Sequence, residues 1–545
     1  MSNSISRRAF VSAASVAALG LGLAGCASSQ QQSSIETEAS STDLSETGLL
    51  SADETVETEV LVVGLGASGI MAATAAGREG AQVLAIDVAS DINGTGNINT
   101  TAPSVFGSNA QAEANPDNVT SAQDAYQFLL EQTHYQENSQ VLLPMLERSA
   151  LCADTMVEYG MPFMFTNTLM PAEASINDKT GAIYLVAGEE RGAIWEAMLE
   201  GSNVETRFGM QGSQLIFDEE GTVCGVQCKS GDQVVDIYAQ RVVLCTGGFL
   251  ANEEMVERYY AGAKMLSCGD QNAKGDGVNM ALSAGAQMGK NFTVSMNEFG
   301  GANMQAASGM RYVFGDMACN GALRLAIMGL PMVDAEGRRF FNEGIVRDMA
   351  MFAGEPLIRN STYYAICDQA FIDRVKSVPL SDLLAIEGKA AKEWKAIAAM
   401  TLTDIETDIE TAISEGWAAK GDSLADIAAT FNLTDLESTI TEYNGFCEAG
   451  LDERFFVNPE AFVPVTNGPF YAIQYNPSAW LSLGGIKTNG NCQALDVAGR
   501  AIPNLYVAGA DADLWAVPYV TKGSANGFCL ASGWLAGESA ARSLR

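Results

Sequence analysis

The 545-residue chain carries 31 Lys plus Arg against 66 Asp plus Glu, a formal charge of −35, with 47% hydrophobic and 18% charged residues. That apolar content and length describe a globular protein of two or more domains, or one large domain with an insert. So negative a field excludes a nucleic-acid binder and a polybasic membrane-surface protein, and the single histidine, His134, excludes three-His metal sites and multi-haem chemistry.

The chain opens with Arg7-Arg8 before an apolar, Ala/Gly/Leu-rich run without acidic residues. This is the pattern of a twin-arginine export signal, a route that carries folded proteins and so suits one that loads a cofactor before export. The run is too short for a membrane span and ends in Leu23-Ala24-Gly25-Cys26. Two readings stand for that end: a lipobox with Cys26 as the lipidated residue, or plain cleavage after a small residue. The Ser/Gln/Thr/Glu-rich stretch from Ala27 to Asp53 reads as a tether and favours lipidation. The chain has eleven cysteines but no Cys-x-x-Cys pair. Their placement in apolar stretches reads as buried thiols rather than a disulfide framework or a metal site.

Ordered structure is expected from Glu57. Val60–Val63 is a short apolar run, as in a buried parallel strand, and Gly64-Leu65-Gly66-Ala67-Ser68-Gly69 follows it. Ile70–Arg78 reads as a helix ended by Gly80, and Val83–Ile86 as a second strand closed by Asp87. Strand, glycine turn, helix, strand and terminal acid together form a dinucleotide-binding unit. Backbone N–H groups at the helix start face a pyrophosphate, and Asp87 faces the adenosine ribose.

Residues 124–159 read as helices bearing His134 at a surface or helix end. Strands are expected within Val204–Cys228 around an Asp218–Gly221 turn, and over Arg241–Phe249 running into Thr246-Gly247-Gly248. Gly275-Asp276-Gly277 opens a helix over Val278–Ala284. A Met- and aromatic-rich insert follows, with long helices over Ala390–Ile413 and Leu424–Phe446. The sheet pattern returns at Leu505–Ala508, and a small-residue helix, Ala525–Ala541, closes the chain.

The ordered set of motifs resembles the FAD-binding fumarate reductase/flavocytochrome c superfamily, which includes urocanate reductase and 3-ketosteroid dehydrogenases. The motifs are the glycine fingerprint, Thr95-Gly96-Asn97 with Thr101-Ala102, Gly221–Val226, Thr246–Phe249, Gly275–Gly277, Gly337–Glu343, Ser482–Gly485 and Leu505–Gly509. The resemblance implies an α/β fold: a Rossmann-like FAD-binding domain split in sequence, with an inserted α+β capping domain. The expected layout is a signal (1–25), a tether (26–56), a first FAD-binding part (57–300), a cap (301–483) and a second FAD-binding part (484–545).

By motif, FAD contacts fall to Gly64, Gly66, Ala67, Ser68, Gly69, Asp87, Asn97, Thr101, Ala102, Thr246, Gly247, Asp276, Ala525 and Asn526. The family's Ala-Gly-Glu after the last strand is Ala508-Gly509-Ala510 here, so a ribityl contact is lost or passes to Asp511.

The same resemblance implies hydride transfer to the β-carbon of an activated alkene, with Arg347 in the position of the acid that protonates the α-carbon. Arginine is a weak acid and needs proton resupply, so a clamp on developing charge or a salt bridge to Asp348 or Glu343 stands beside that role. The fumarate site is otherwise missing: its relay positions fall near Leu323 and Ala326, its histidine is replaced by Leu481, and its second arginine falls near Val520. A dicarboxylate would go unpaired there.

Tyr519 and Gly523 have the Tyr-x-x-x-Gly spacing of a ketone-binding pair, with packing against the flavin domain as the alternative role for Tyr519. Trp480, Tyr519 and the Met-rich cap suit a bulky apolar enone or aryl-acrylate. No haem, FMN-carrier or NAD domain is evident, so electrons are expected from a separate membrane or lipoprotein donor. The same chemistry reversed, a ketosteroid-like dehydrogenase, and a non-catalytic flavin carrier are the alternatives.

Overall fold

The computed structural model describes residues 48–97, 103–114, 116, 119–166, 181–260, 262–267, 269–294, 298–301, 320–344, 360–383, 401–516, 519 and 523–545. The chain divides into a leading unit, Met1–Ser51, described only in its last four residues, and a second unit, Ala52–Arg545, which holds everything below. Cys26 and the signal lie outside the described residues.

The strand expected at Val60–Val63 begins six residues earlier, as β1, Glu54–Val63. Its first four residues are mostly exposed and carry no apolar run to announce it. Val60–Val63 are all buried. Helix α1 (Ala67–Arg78) and strand β2 (Val83–Ile86) complete the first unit. Helices α2 (Ala122–Gln132) and α3 (Ser139–Glu158) follow, and exposed His134 sits just past the end of α2 with a left-handed backbone.

Then come β3 (Val204–Arg207), β4 (Gln211–Phe217), β5 (Val223–Ser230), β6 (Gln233–Leu244) and helix α4 (Asp276–Ser283). The cap contributes β7 (Tyr363–Asp368), α5 (Leu424–Phe431), α6 (Leu436–Ala449) and β8 (Phe470–Ala479). Strands β9 (Gln493–Leu495) and β10 (Ala501–Val507) and helix α7 (Ser524–Arg542) end the chain.

The main sheet runs β9-β10-β6-β1-β2-β3. Strands β10, β6, β1, β2 and β3 are parallel, and β9 is antiparallel to β10. Twelve-residue β6 shares one edge between two partners, antiparallel β5 along its first half and parallel β10 along its last three residues. Register brings Val63, Ile86, Leu244 and Val507 to one level, so the turns after four strands from both ends of the chain open on the same side. In an open parallel sheet that edge is where a ligand sits.

A second sheet is built on β8. It pairs with β7, Glu298–Gly301 and Ala418–Gly421 in antiparallel sense and with Leu266–Ser267 in parallel. Its core is separate from that of the main sheet and holds Tyr363, Tyr471, Tyr475 and Trp417. The sheet draws on Leu266–Ser267 and Glu298–Gly301 as well as on strands after residue 301.

Neither long helix expected in this region is continuous over its described residues, and residues 390–400 of the first lie outside them. Residues 401–404 are not helical: the Leu402 N–H bonds to the Val375 carbonyl, and the helix starts afterwards at Ile405. Leu424–Phe446 is broken where Asn432 takes a left-handed cap at φ 58° and the Asp435 N–H reaches the Glu336 carbonyl. In each case a backbone bond to a distant segment stands where the helix is expected to continue.

Candidate functional site

The turns at the strand ends line a cavity that opens to solvent. Its wall includes Gly64, Gly66, Ala67, Ser68, Asp87, Asn97, Thr246, Gly247, Asp276, Ala525, Asn526 and Trp480, which come from segments more than 400 residues apart.

Helix α1 starts at Gly66 with no side-chain cap, and its first intrahelical bond runs from Ile70 N–H to Gly66 O. The N–H groups of Ala67, Ser68 and Gly69 therefore lack intrahelical acceptors, an arrangement that favours an anion. Two glycines make the turn: Gly64 has φ 96° and a Cβ there would lie 2.4 Å from Cys245 O, while a Cβ at Gly69 would lie 1.7 Å from Gly64 O. Gly69 is thus beneath the wall, holding helix to strand.

Asp87 is buried, and burial raises its pKa, opposed by backbone hydrogen bonds. One oxygen accepts the Leu65 N–H at 2.6 Å and the other the Ala89 N–H at 2.8 Å. It fastens the glycine turn to the end of β2 while facing the cavity. Asp276 caps the other side, where its carboxylate accepts from Gln211 Nε2 at 2.8 Å.

Asp511 is fully buried and absent from the wall. Its carboxylate accepts the Thr246 N–H (2.5 Å), the Thr246 hydroxyl and the Gly248 N–H (2.8 Å). Burial still pushes its pKa up to about 6. The Thr246 hydroxyl oxygen in turn accepts the Gly277 N–H at 2.8 Å. Asp511 therefore ties together the turns after β6 and β10 and the start of α4, instead of reaching into the cavity.

Tyr519 is buried, and its Oη accepts the Ala525 N–H at 2.9 Å in the first turn of α7, which begins at Gly523 with φ 76°. Neither Tyr519 nor Gly523 is among the wall residues. Thr101, Ala102 and Arg347 lie outside the described residues. Leu323 and Ala326, at the relay positions, are buried in the short helix Gly321–Ile327, with buried Arg324 between them.

Sequence reading missed Met210, Gln211, Asp270, Asn272, Cys245 and Cys529 on the wall. Cys245 was legible as the residue before Thr246-Gly247, and Cys529 as one helical turn beyond Ala525. Asp270 carries no motif and is brought to the wall where the chain comes back from Leu266–Ser267 in the second sheet.

The family described as FAD binding domain matches residues 59–527, and the chain belongs to it. The chain is 26% identical over 466 residues to vinyl phenol reductase of Lactiplantibacillus plantarum, covering 83% of this chain and 90% of that one. It is 26% identical over 323 residues to urocanate reductase of Eggerthella lenta, covering 57% of this chain and spanning 46% of that one. The fold matches the open conformation of a flavocytochrome c3 fumarate reductase with TM-score 0.62 at 22% identity, over 90% of this chain and 79% of that one.

The protein is an FAD-dependent oxidoreductase acting on CH–CH groups, with a Rossmann-like FAD-binding domain and a cap. The residues present fit the cofactor. The uncapped α1 N-terminus suits a diphosphate, and the glycines allow the tight turn that brings its N–H groups to the cavity.

Proposed function

We propose that this is an exported reductase of an activated carbon–carbon double bond, of the enone or aryl-alkene kind, working outside the cytoplasm in anaerobic respiration. The observation that carries the substrate class is the apolar replacement of the family's charged substrate positions: Leu323 and Ala326 are buried in the short helix Gly321–Ile327, and Leu481 stands where a histidine is expected. The relative named vinyl phenol reductase, matched over most of its length, supports an aryl alkene over a dicarboxylate.

When bound, FAD supplies the hydride. Residues of the fingerprint and of the Thr246-Gly247 turn would hold it, with Asp276, Ala525 and Asn526 around it and Thr101 and Ala102 as contacts by motif. Arg347 delivers the proton to the α-carbon. In this reading Tyr519, whose Oη accepts the Ala525 N–H, and the Gly523 N–H polarise a substrate oxygen. Trp480 flanks the ring system. The electron donor is a separate membrane or lipoprotein partner, and Cys26 carries the lipid that keeps the protein at the membrane.

The test is anaerobic. The mature protein is reduced with an artificial donor, and flavin absorbance is followed as enones, aryl-acrylates, vinylphenols, steroids and dicarboxylates are added. Reoxidation by an aryl alkene or enone, lost in Arg347→Lys, is the expected result. Reoxidation by fumarate alone, or by no acceptor, overturns the reading.

A further inference from the structure

Leu266–Ser267 and the end of β8 run parallel in the second sheet, and both lead the chain back from the cap to the FAD-binding part. These two crossings lie side by side, with Leu266 opposite Ser478 and Ser267 opposite Ala479. Just beyond them stand Asp270, three residues after Ser267, and Trp480, directly after Ala479. The Asn97 amide meets both. Its Nδ2 donates to the Trp480 carbonyl at 2.9 Å, and its Oδ1 accepts the Asp270 N–H at 2.9 Å.

The fit is close: a Cβ on Gly269 would lie 2.0 Å from Trp480 O and 2.7 Å from Asn97 Oδ1. Asn97 follows Gly96, where a Cβ would come within 3.1 Å of Gly66 Cα in the glycine turn. One side chain therefore links the diphosphate-facing turn to both crossings. The Asn97 amide both donates and accepts, as the two partners require.

We propose that Asn97 is a positioning residue that clasps the two cap crossings to the glycine turn and so sets Trp480 in the cavity wall. This is distinct from a cofactor contact, the role its motif implies. Its consequence for substrate rests on the reductase reading, whereas the clasp itself does not.

The test uses FAD-loaded Asn97→Ala and Asn97→Asp. Three quantities are measured: flavin content per protein, hydrogen–deuterium exchange over 264–272 and 477–484, and the substrate concentration that half-saturates flavin reoxidation. For Asn97→Ala the expectation is unchanged flavin content, exchange about tenfold faster in both segments, and half-saturation raised about tenfold, as the loss of two hydrogen bonds implies. Asn97→Asp keeps the acceptor for Asp270 and loses only the donor to Trp480, so its faster exchange is confined to 477–484.

That split would not arise from general loosening of the fold. Flavin loss with unchanged exchange at the crossings makes Asn97 a cofactor contact and overturns the clasp, as does unchanged behaviour in every readout. If no acceptor reoxidises the wild-type flavin, the reductase reading fails, and the exchange pattern still decides the clasp.

Discussion

The Asp511 carboxylate accepts three donors from the Thr246–Gly248 turn, and no other side chain supplies that charge. Asp511→Asn sets an NH2 group against N–H donors. We expect a loss of about 2–3 kcal/mol of stability, read from denaturant midpoints, together with weaker FAD retention on gel filtration. Unchanged retention and stability would make Asp511 dispensable. A second buried site answers to pH. Glu137 accepts the Ala516 N–H and lies near Asp513, and burial pushes the two up to about 8 and about 7. Among the described residues Glu137 Oε2 and Asp513 Oδ1 have no hydrogen-bond partner. Both groups hold protons more tightly folded than unfolded, so from about pH 4.5 to 8 the folded chain binds more protons and their contribution to stability falls as pH rises. Glu137→Gln removes the larger part of this dependence: its Tm should exceed that of the wild type by a few degrees at pH 8.5 and match it at pH 5. Parallel Tm curves would contradict the assignment. The fingerprint glycines and Asp87 were legible because strand, turn and helix lie within 30 residues. The double duty of Asn97 and the clamp by Asp511 were not, because their partners lie 173 to 383 residues away.

Helices α1 and α7 meet through glycine. A Cβ on Gly533 would lie 2.0 Å from Ser68 O, and one on Gly537 would lie 2.0 Å from Ala72 O. The spacing of four on both helices shows that they run in the same sense, backbone against backbone, and this contact brings the first turns of both to the cavity. Gly537→Ala should gain helix propensity and still destabilise the protein by about 1–3 kcal/mol, because overpacking outweighs propensity. A higher Tm in that variant would refute so close a crossing. The small-residue composition of Ala525–Ala541 signalled a helix, and only the packing explains why its residues are small. Apolar periodicity overran the true ends of the cap helices, since Leu402 and Asn432 look helical until the Val375 carbonyl and the Glu336 contact are known.

Across the whole molecule the charge of −35 sets how a redox partner approaches. A basic donor is steered to such a surface and a neutral one is not. Electron delivery from a cationic donor should therefore slow several-fold between about 20 and 300 mM salt, as screening shortens to a few ångströms. A flat ionic-strength profile would place the docking face away from the acidic field. The main sheet has a further consequence. Strands β1 and β2 emerge early in synthesis, yet the edge of β6 that completes the cavity waits for β10, and the α1 N-terminus waits for Gly533. A chain still on the ribosome, or one truncated by premature termination before residue 533, presents half a dinucleotide seat. Flavin capture thus reports that translation has run to the last helix, and yellow colour becomes a mark of a finished polypeptide.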